Sequence, residues 1–273
     1  MNNIRTAQVA GYFYPSDPAK LRNDIQLLLD LSKRKEKLSN IFGIVSPHAG
    51  YVYSGKTAAH AYNLLAGKKY KRVVVISPSH SEYFPGVCIF KGDAYETPLG
   101  KLNVDKEFSR KLKTDDGLIY EGVEGHRREH ALEVQLPFLQ SVLENFMIVP
   151  IVMGDQSRKI VDALAEKLAK LADDETLIVA SSDLSHFHSK TNADKLDSVI
   201  EKRVKDFDFE SLQNDLDNHL CEACGGGPII ALMKAARLKN FNHSMVLDRS
   251  DSGDVTGDKD EVVGYLSAVV YGD

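Results

Sequence analysis

The segment RVVVISPSH, residues 72–80, runs through four β-branched residues into Ser-Pro-Ser and ends on His80. β-branched side chains favour strands, and an unbroken apolar run is typical of a strand buried on both faces. The same pattern occurs in FGIVSPHAG, residues 42–50, where it leads to His48, and in weaker form in TLIVASSDLSHFH, residues 176–188. Each segment therefore predicts a buried strand that is followed closely by polar side chains.

Helical patterns fill the chain between these strands. Apolar residues recur at helical spacing after Asp17, again in residues 54–67, and most regularly in residues 157–172. Strands that alternate with helices of this length predict an α/β layered fold. No Pro-, Gly- or Ser-rich linker is long enough to divide the chain. We therefore expect a single domain over residues 1–273, with a largely parallel or mixed central sheet flanked by helices on both faces.

Composition excludes several classes of protein. The chain has 273 residues and a formal charge of −5, and no basic stripe indicates a nucleic-acid partner. The basic run at residues 33–37 is interpreted as a solvated helix end. No apolar stretch is long enough for a membrane span, and the first residues lack the apolar core of a signal peptide, so we expect no membrane association and a cytoplasmic location. Three cysteines are too few for a disulfide framework.

The polar groups that follow the strands predict a common site. Ligands of open α/β sheets bind beyond the carboxyl ends of the strands. If the strands are parallel, His48, His80 and the pair Asp183/His186 emerge at one edge of the sheet. Neutral imidazole is the commonest metal ligand in proteins, so these histidines predict a metal site that needs an anionic partner.

Two residues are candidates for that anionic partner, Asp183 and Cys224. Cys224 stands in CEACGGGP, just ahead of a predicted helix. The positive end of the helix dipole is expected to lower the pKa of its thiol, and a thiolate is both a metal ligand and a nucleophile. Cys221 makes a C-x-x-C pattern with Cys224, but this pattern follows a predicted helix rather than a strand, so we interpret Cys221 as structural.

Two further motifs leave alternatives open. His126, Glu129 and His130 match H-x-x-E-H, the inverted zinc-peptidase pattern, although the pattern is short and chance matches are frequent. The preferred interpretation is that Glu129, His130 and Glu133 border the main cleft or cap a helix. The acidic segment 248–261 is interpreted as solvated hairpin turns, with a loop that reaches the cleft as the second option.

Seven ordered motifs carry a family resemblance from Gly11 to Tyr271. The chain resembles the Memo family, whose prokaryotic members are called AmmeMemoRadiSam system protein B. The motifs are GYFYPSDP (11–18), SPHAGYVYSG (46–55), SPSH (77–80), EHALEVQLPFL (129–139), SSDLSH (181–186), CGGGP (224–228) and SGDVTGD with VVGY (252–265).

The resemblance implies a fold similar to that of class III extradiol dioxygenases, which are non-haem Fe(II) enzymes. It implies that His48 and His80 are metal ligands and that Cys224 stands where those enzymes have a glutamate. His186 matches their acid/base histidine, with Asp183 beside it. Fe(II) is the expected metal, and Cu or Zn are alternatives because a thiolate softens the site.

The resulting hypotheses belong to different classes. The first is a metal-dependent oxidoreductase of unknown substrate, with His186, Asp183 and Cys224 in the catalytic machinery. The alternative is a non-catalytic module that binds a peptide or protein in the cleft. The resemblance implies radical-SAM and AMMECR-type proteins as partners. A third option is a nucleophilic Cys224 that a neighbouring histidine activates.

Overall fold

The three Val/Ile-rich segments lie side by side in the middle of one large sheet. The computed structural model describes residues 3–33 and 38–273, so most of the basic run at 33–37 lies outside the described residues. The strands are β1 (Ile4–Arg5), β2 (Ile41–Ser46), β3 (Arg72–Pro78), β4 (Val87–Phe90), β5 (Ala94–Thr97), β6 (Gly100–Asn103), β7 (Ile119–Gly122), β8 (Met147–Met153), β9 (Thr176–Ser181), β10 (Asp183–His188), β11 (His243–Asp251) and β12 (Val262–Tyr271). The helices are α1 (Pro18–Leu31), α2 (Tyr51–Asn63), α3 (Lys106–Leu112), α4 (His130–Glu133), α5 (Gln135–Val142), α6 (Arg158–Leu171), α7 (Lys190–Lys205), α8 (Phe209–Asp217), α9 (Gly226–Leu238) and α10 (Gly253–Thr256).

The large sheet is open and mixed. Its order is β10-β12-β2-β9-β3-β8-β4-β7, and β11 pairs with β12 beside this path. Strands β2, β9, β3 and β8 are parallel, whereas β12 runs antiparallel to β2 and β4 runs antiparallel to β8. The predicted α/β class with a mixed central sheet is confirmed. The assignment of residues 1–273 to one domain stays a prediction.

The register of the parallel strands aligns their carboxyl ends. Ser46 of β2 pairs with Ser181 of β9, and Ile76 of β3 pairs with Ala180 of β9. The loops that follow β2, β3 and β9 therefore begin next to one another. This alignment places the segments that carry His48, His80 and Asp183 at one edge of the sheet.

Helices cover both faces of the sheet because side chains alternate along each buried strand. Val74 and Ile76 belong to a core cluster that includes residues of α6 and α9. Val73 and Val75 point the other way, into a cluster that includes residues of α1, α2 and α5. Full burial of one such side chain contributes about 1.5–3 kcal/mol, so these strands anchor both layers.

Two helical regions of the chain are interrupted. Pro137 lies in the first turn of α5, where the missing N–H of proline costs little, and it follows the short helix α4. α7 and α8 are separated by a break at Phe207, which has a positive φ of 55°. Among the described residues, no helix combines the length and the apolar character that a membrane span requires.

Candidate metal centre

Three predicted ligands meet beyond the ends of the parallel strands. The ligand atoms of His48, His80 and Cys224 lie within 4.8 Å of one another. His48 is buried, Cys224 is half-buried and His80 is the most exposed of the three. The ring centroids of His48 and His80 are 5.1 Å apart, with the rings nearly perpendicular. The arrangement brings two imidazoles and one thiol to a common point.

A hydroxyl group determines the tautomer of His48. Ser181 Oγ donates its single proton to the backbone oxygen of Ala131 at 2.7 Å. It therefore acts as an acceptor toward Gln135 Nε2 at 2.8 Å and toward His48 Nδ1 at 2.8 Å. His48 thus carries its proton on Nδ1 and keeps a free lone pair on Nε2. Burial lowers the pKa of His48 well below its ordinary value, and the other histidines at the site lower it further.

A carboxylate holds His80 in the equivalent orientation. Glu129 accepts from the backbone N–H of His80 at 2.6 Å and from its ring Nδ1 at 2.9 Å. Because an ionised carboxylate only accepts, the ring proton lies on Nδ1 and Nε2 is the nitrogen available to a metal. Burial lowers the pKa of His80, but the hydrogen bond and charge of Glu129 outweigh it and raise that pKa above its ordinary value.

Cys224 faces His48 directly. Its Sγ lies 3.2 Å from His48 Nε2 and accepts a hydrogen bond from the backbone N–H of Asp183 at 3.3 Å. The expectation of a lowered thiol pKa is wrong, because burial and the nearby charge of Asp183 raise the pKa of Cys224 above its ordinary value. Cys221 is a free thiol packed in the core, in agreement with a structural role.

The turn before α9 requires glycine and is held by a glutamine. A Cβ on Gly225 would lie 2.2 Å from the backbone oxygen of Ser181, so only glycine lets this turn approach the end of β9. Gln156 donates to the backbone oxygen of Cys224 at 2.8 Å and accepts from the N–H of Gly227 at 2.7 Å. Gln156 was not predicted as a site residue, since nothing in the local sequence links it to a segment almost 70 residues away.

Asp183 and His186 both lie at the site, and the structure shows no hydrogen bond between these two described residues. Asp183 accepts from the backbone N–H of His48 at 2.7 Å. Burial raises the pKa of Asp183 to about 7, against the opposing effect of that hydrogen bond. Burial lowers the pKa of His186, the charge of His80 lowers it further, and the backbone of Leu184 opposes the change. Asp183 therefore positions the loop that carries His48.

His130 is a third histidine at the centre. Its ring centroid lies 4.7 Å from that of His80 and 5.6 Å from that of His48. Its Nδ1 is 3.4 Å from Glu129, and His80, Glu129 and His130 form a second group close enough to hold a cation. The sequence indicated His130 only as a residue at the border of the cleft, so its contact with both candidate ligands is a finding of the structure.

The zinc-peptidase interpretation of HRREH is wrong. His126 is buried, with its ring nitrogens bonded to Tyr95 Oη at 2.6 Å and to the backbone oxygen of Cys88 at 3.1 Å. α4 begins at His130, with Glu129 as its N-cap, so His126 and His130 do not share a helix face. Glu129 both caps the helix and borders the centre, as the preferred interpretation expected.

A cleft of about 410 Å³ opens beside this centre. Its lining is partly aromatic and includes Phe13, Tyr53, His130, Asp183, His186 and Tyr265. The acidic segment 248–261 contributes Ser252, Thr256 and Asp258 to the same lining. The second option for this segment, a loop that reaches the cleft, therefore describes its position.

Comparisons with known proteins identify the family of this chain. The family model described as Memo-like protein matches residues 5–269. A MEMO1 family protein of Thermoplasma volcanium is 37% identical over 97% of this chain and 98% of its own length. A MEMO1 family protein of Saccharolobus solfataricus is 36% identical over 97% of this chain and 98% of its own length. One of Methanosarcina mazei is 35% identical over 98% of this chain and 99% of its own length. The resemblance carried by the seven motifs is confirmed, and the chain belongs to the Memo family.

Proposed function

We propose that the chain is a metal-dependent oxidoreductase in which His48, His80 and Cys224 hold one Fe(II) ion, with Cu or Zn as alternatives. One observation carries the proposal. The hydrogen bonds of Ser181 and Glu129 occupy Nδ1 of both histidines and leave Nε2 for a metal. The ligand atoms of the two histidines and of Cys224 lie within 4.8 Å of one another.

The donor set fits a transition metal. Imidazole suits Zn, Cu and Fe, and thiolate adds affinity for softer ions. The raised thiol pKa of Cys224 belongs to the metal-free centre, and a coordinated cation would favour the thiolate. Bound there, a redox metal would supply electron transfer and Lewis-acid chemistry to a molecule in the cleft.

His186 is proposed as the general acid/base. It lines the cleft, and its lowered pKa keeps the ring neutral near pH 7, so it is able to accept a proton from a bound molecule. Asp183 lines the same cleft and holds the His48 backbone, so it is proposed to position the ligand loop while it borders the substrate. The substrate is an unidentified small molecule or peptide.

Elemental analysis tests this proposal. The full chain, purified anaerobically without a metal-chelating tag, is expected to contain about one iron, copper or zinc per chain. His48→Ala and Cys224→Ser are expected to lose the metal, whereas Cys221→Ala, which changes a nearby cysteine in the core, is expected to keep it. Equal metal content in wild type and both ligand variants would contradict the proposal.

A binding module is the second candidate, and exposed aromatic residues favour it. Tyr12 is 88% exposed and precedes Phe13 of the cleft, and Phe187 is 72% exposed and follows His186. Phe187 also has a positive φ of 60°, an uncommon conformation for an aromatic residue. Exposed apolar residues beside a cleft are typical of interaction surfaces.

Radical-SAM and AMMECR-type proteins are the proposed partners of such a module. Their capture by the full chain is expected to survive Cys224→Ser and chelation if binding is the function, and to weaken in Tyr12→Ser and Phe187→Ser. Loss of capture on chelation would favour the metal-dependent function instead. A nucleophilic Cys224 stays a prediction, and the raised pKa of its thiol in the metal-free protein does not support it.

A further inference from the structure

An arginine of the N-terminal segment is buried against the turn that precedes α4. Arg5 is 7% exposed and belongs to β1, where it lies opposite Tyr95 of β5. Its guanidinium carbon lies 4.8 Å from the centroid of the Tyr95 ring. Arg5 is not among the described residues that line the cleft. Any effect of Arg5 on the candidate metal centre therefore passes through other residues.

The guanidinium of Arg5 donates to three acceptors in one short segment. Nε donates to the backbone oxygen of His126 at 2.5 Å. One terminal nitrogen donates to the backbone oxygen of Glu129 at 2.6 Å, and the other donates to the carboxylate of Glu133 at 2.6 Å. A guanidinium presents its donors in a rigid planar fork, whereas the ammonium of lysine is a single point. Arg5 therefore fixes the backbone at both ends of the turn 126–129.

The same turn carries the carboxylate that orients His80. Glu129 is 1% exposed, and it accepts from the backbone N–H of His80 at 2.6 Å and from its ring Nδ1 at 2.9 Å. As the N-cap of α4 it also accepts from the N–H of Ala131 at 2.9 Å. A carboxylate with three such bonds has little freedom relative to its own backbone. A displacement of the Glu129 backbone would therefore disturb the hydrogen bond that holds the His80 ring.

Tyr95 holds the first residue of this turn by its side chain. The ring of His126 donates from Nε2 to the backbone oxygen of Cys88 at 3.1 Å, because a carbonyl oxygen only accepts. Its Nδ1 is consequently an acceptor, and Tyr95 Oη donates to it at 2.6 Å. Arg5 and Tyr95, from the paired strands β1 and β5, thus support the same turn through its backbone and through a side chain.

We propose that Arg5 is a positioning residue that holds the imidazole of His80 in place through the backbone and the carboxylate of Glu129. Its value for metal binding rests on the proposed function, because His80 Nε2 is a proposed ligand atom. The orientation of the His80 ring does not itself depend on a metal. The two proposals therefore fail separately.

Arg5→Lys tests this role, and Arg72→Lys is its matched control. Arg72 is 8% exposed, its guanidinium carbon lies 4.9 Å from the centroid of the Phe108 ring, and it pairs with two carboxylates. It begins β3, whereas His80 follows the other end of that strand. Both variants keep the charge and lose the fork, so both are expected to lower the urea midpoint of unfolding.

Two measurements separate positioning from stability. Ring ¹⁵N shifts of His80 in the metal-free full chain report its tautomer, and their absence in His80→Gln identifies them. At a pH where the ring is neutral, wild type and Arg72→Lys are expected to carry the proton on Nδ1, and Arg5→Lys is expected to show both tautomers. Zn²⁺ affinity, measured by competition with a chelator, is expected to fall about tenfold in Arg5→Lys and to stay at the wild-type value in Arg72→Lys.

Tyr95→Phe carries the test if Arg5→Lys does not fold. It keeps the ring beside the guanidinium and removes only the hydroxyl that donates to His126. His80 is expected to show both tautomers, and Zn²⁺ affinity is expected to fall about threefold. Tyr70→Phe removes a buried hydroxyl that donates to the backbone at the start of β2, and as the control it is expected to change neither quantity.

A wild-type His80 tautomer in Arg5→Lys would overturn the proposal, and so would equal changes in Arg5→Lys and Arg72→Lys, since Arg5 would then only stabilise the fold. The same tautomer in Tyr95→Phe as in wild type would overturn it where that variant carries the test. A wild-type protein that binds no Zn²⁺, together with an altered His80 tautomer in Arg5→Lys, would keep the positioning role and remove the proposed metal centre.

Discussion

Cys224 Sγ lies 3.2 Å from His48 Nε2, although 176 positions separate the two residues in the chain. The contact depends on backbone that packs closely, since Gly225 places the turn before α9 against the end of β9. His48 is held at the same edge by Ser181 and Asp183. Residues around the ligands therefore determine whether three donors converge.

Ser181→Ala tests the orientation of His48. Without the hydroxyl, Nδ1 loses its acceptor and the ring loses the contact that selects its tautomer. We expect metal affinity to fall about 10- to 100-fold, as measured by competition with a chelator. Ser267→Ala is the matched control, because Ser267 is buried with no side-chain partner recorded among the described residues. Equal affinities in both variants would show that Ser181 does not orient the ligand.

Glu129→Gln tests whether the carboxylate of Glu129 orients the ring of His80. In the metal-free protein the carboxylate raises the pKa of His80, so its removal is expected to lower that pKa, measured by NMR titration of the imidazole. Metal affinity is expected to fall about 10- to 100-fold in the same variant. Glu121→Gln changes a carboxylate on β7 that pairs with Lys113, and it serves as the control. An unchanged His80 pKa would contradict the assigned contact.

Glu133 is predicted to stabilise the fold. It is fully buried, pairs with Arg5 at 2.6 Å, accepts from Tyr14 Oη at 2.6 Å, and also accepts from two backbone N–H groups of the N-terminal segment. Glu133→Ala leaves the Arg5 charge buried, so we expect unfolding free energy to fall by about 3–5 kcal/mol in urea titrations. Glu107→Ala, on the surface of α3, is expected to leave the unfolding free energy nearly unchanged. Similar small losses in both variants would show that Arg5 finds another partner.

Asp197 is predicted to make stability depend on pH. Burial raises the pKa of this carboxyl to about 6, against the opposing effects of the Ser185 hydrogen bonds and the charge of Arg249, while Asp194 raises it further. A raised acid pKa means that the folded state binds the proton more tightly, so its contribution is complete below pH 3.8 and is lost as pH rises through about 6.

Asp197→Asn is therefore expected to gain about 2–3 kcal/mol relative to wild type between pH 4 and pH 7, measured by urea unfolding at each pH. Asp174→Asn removes an exposed charge from the turn between α6 and β9 and is the control. If the difference between wild type and Asp197→Asn does not vary with pH, the carboxyl does not titrate in this range.

Local patterns were sufficient for the elements that build the site. The β-branched runs before His48 and His80 predicted buried strands, and the structure shows that these strands are parallel and that the loops after them share one edge. Local patterns failed at HRREH, where the spacing of His126 and His130 matched a motif. α4 begins only at His130, so His126 lies outside the helix and the two histidines are not on one helix face.

The pKa of Cys224 shows a second kind of failure. The position of Cys224 just ahead of α9 predicted a lowered thiol pKa. Burial of the thiol and the charge of Asp183 raise that pKa instead, and they exceed the effect of the helix dipole. Burial depends on which segments pack over a residue, and that information is spread over the whole chain. The same reason explains why Gln156 and His130 were missed or underestimated as neighbours of the ligands.

The sequence by itself determined the α/β class, the family, and the placement of His48, His80 and Asp183 beyond buried strands, because residue periodicity and short motifs are local properties. Only the tertiary structure decided the tautomers of the two histidines, the partner of Asp183 and the structural role of Glu133. These depend on hydrogen bonds and burial between segments far apart in the chain, and such contacts exist only once the sheet and its helices have packed.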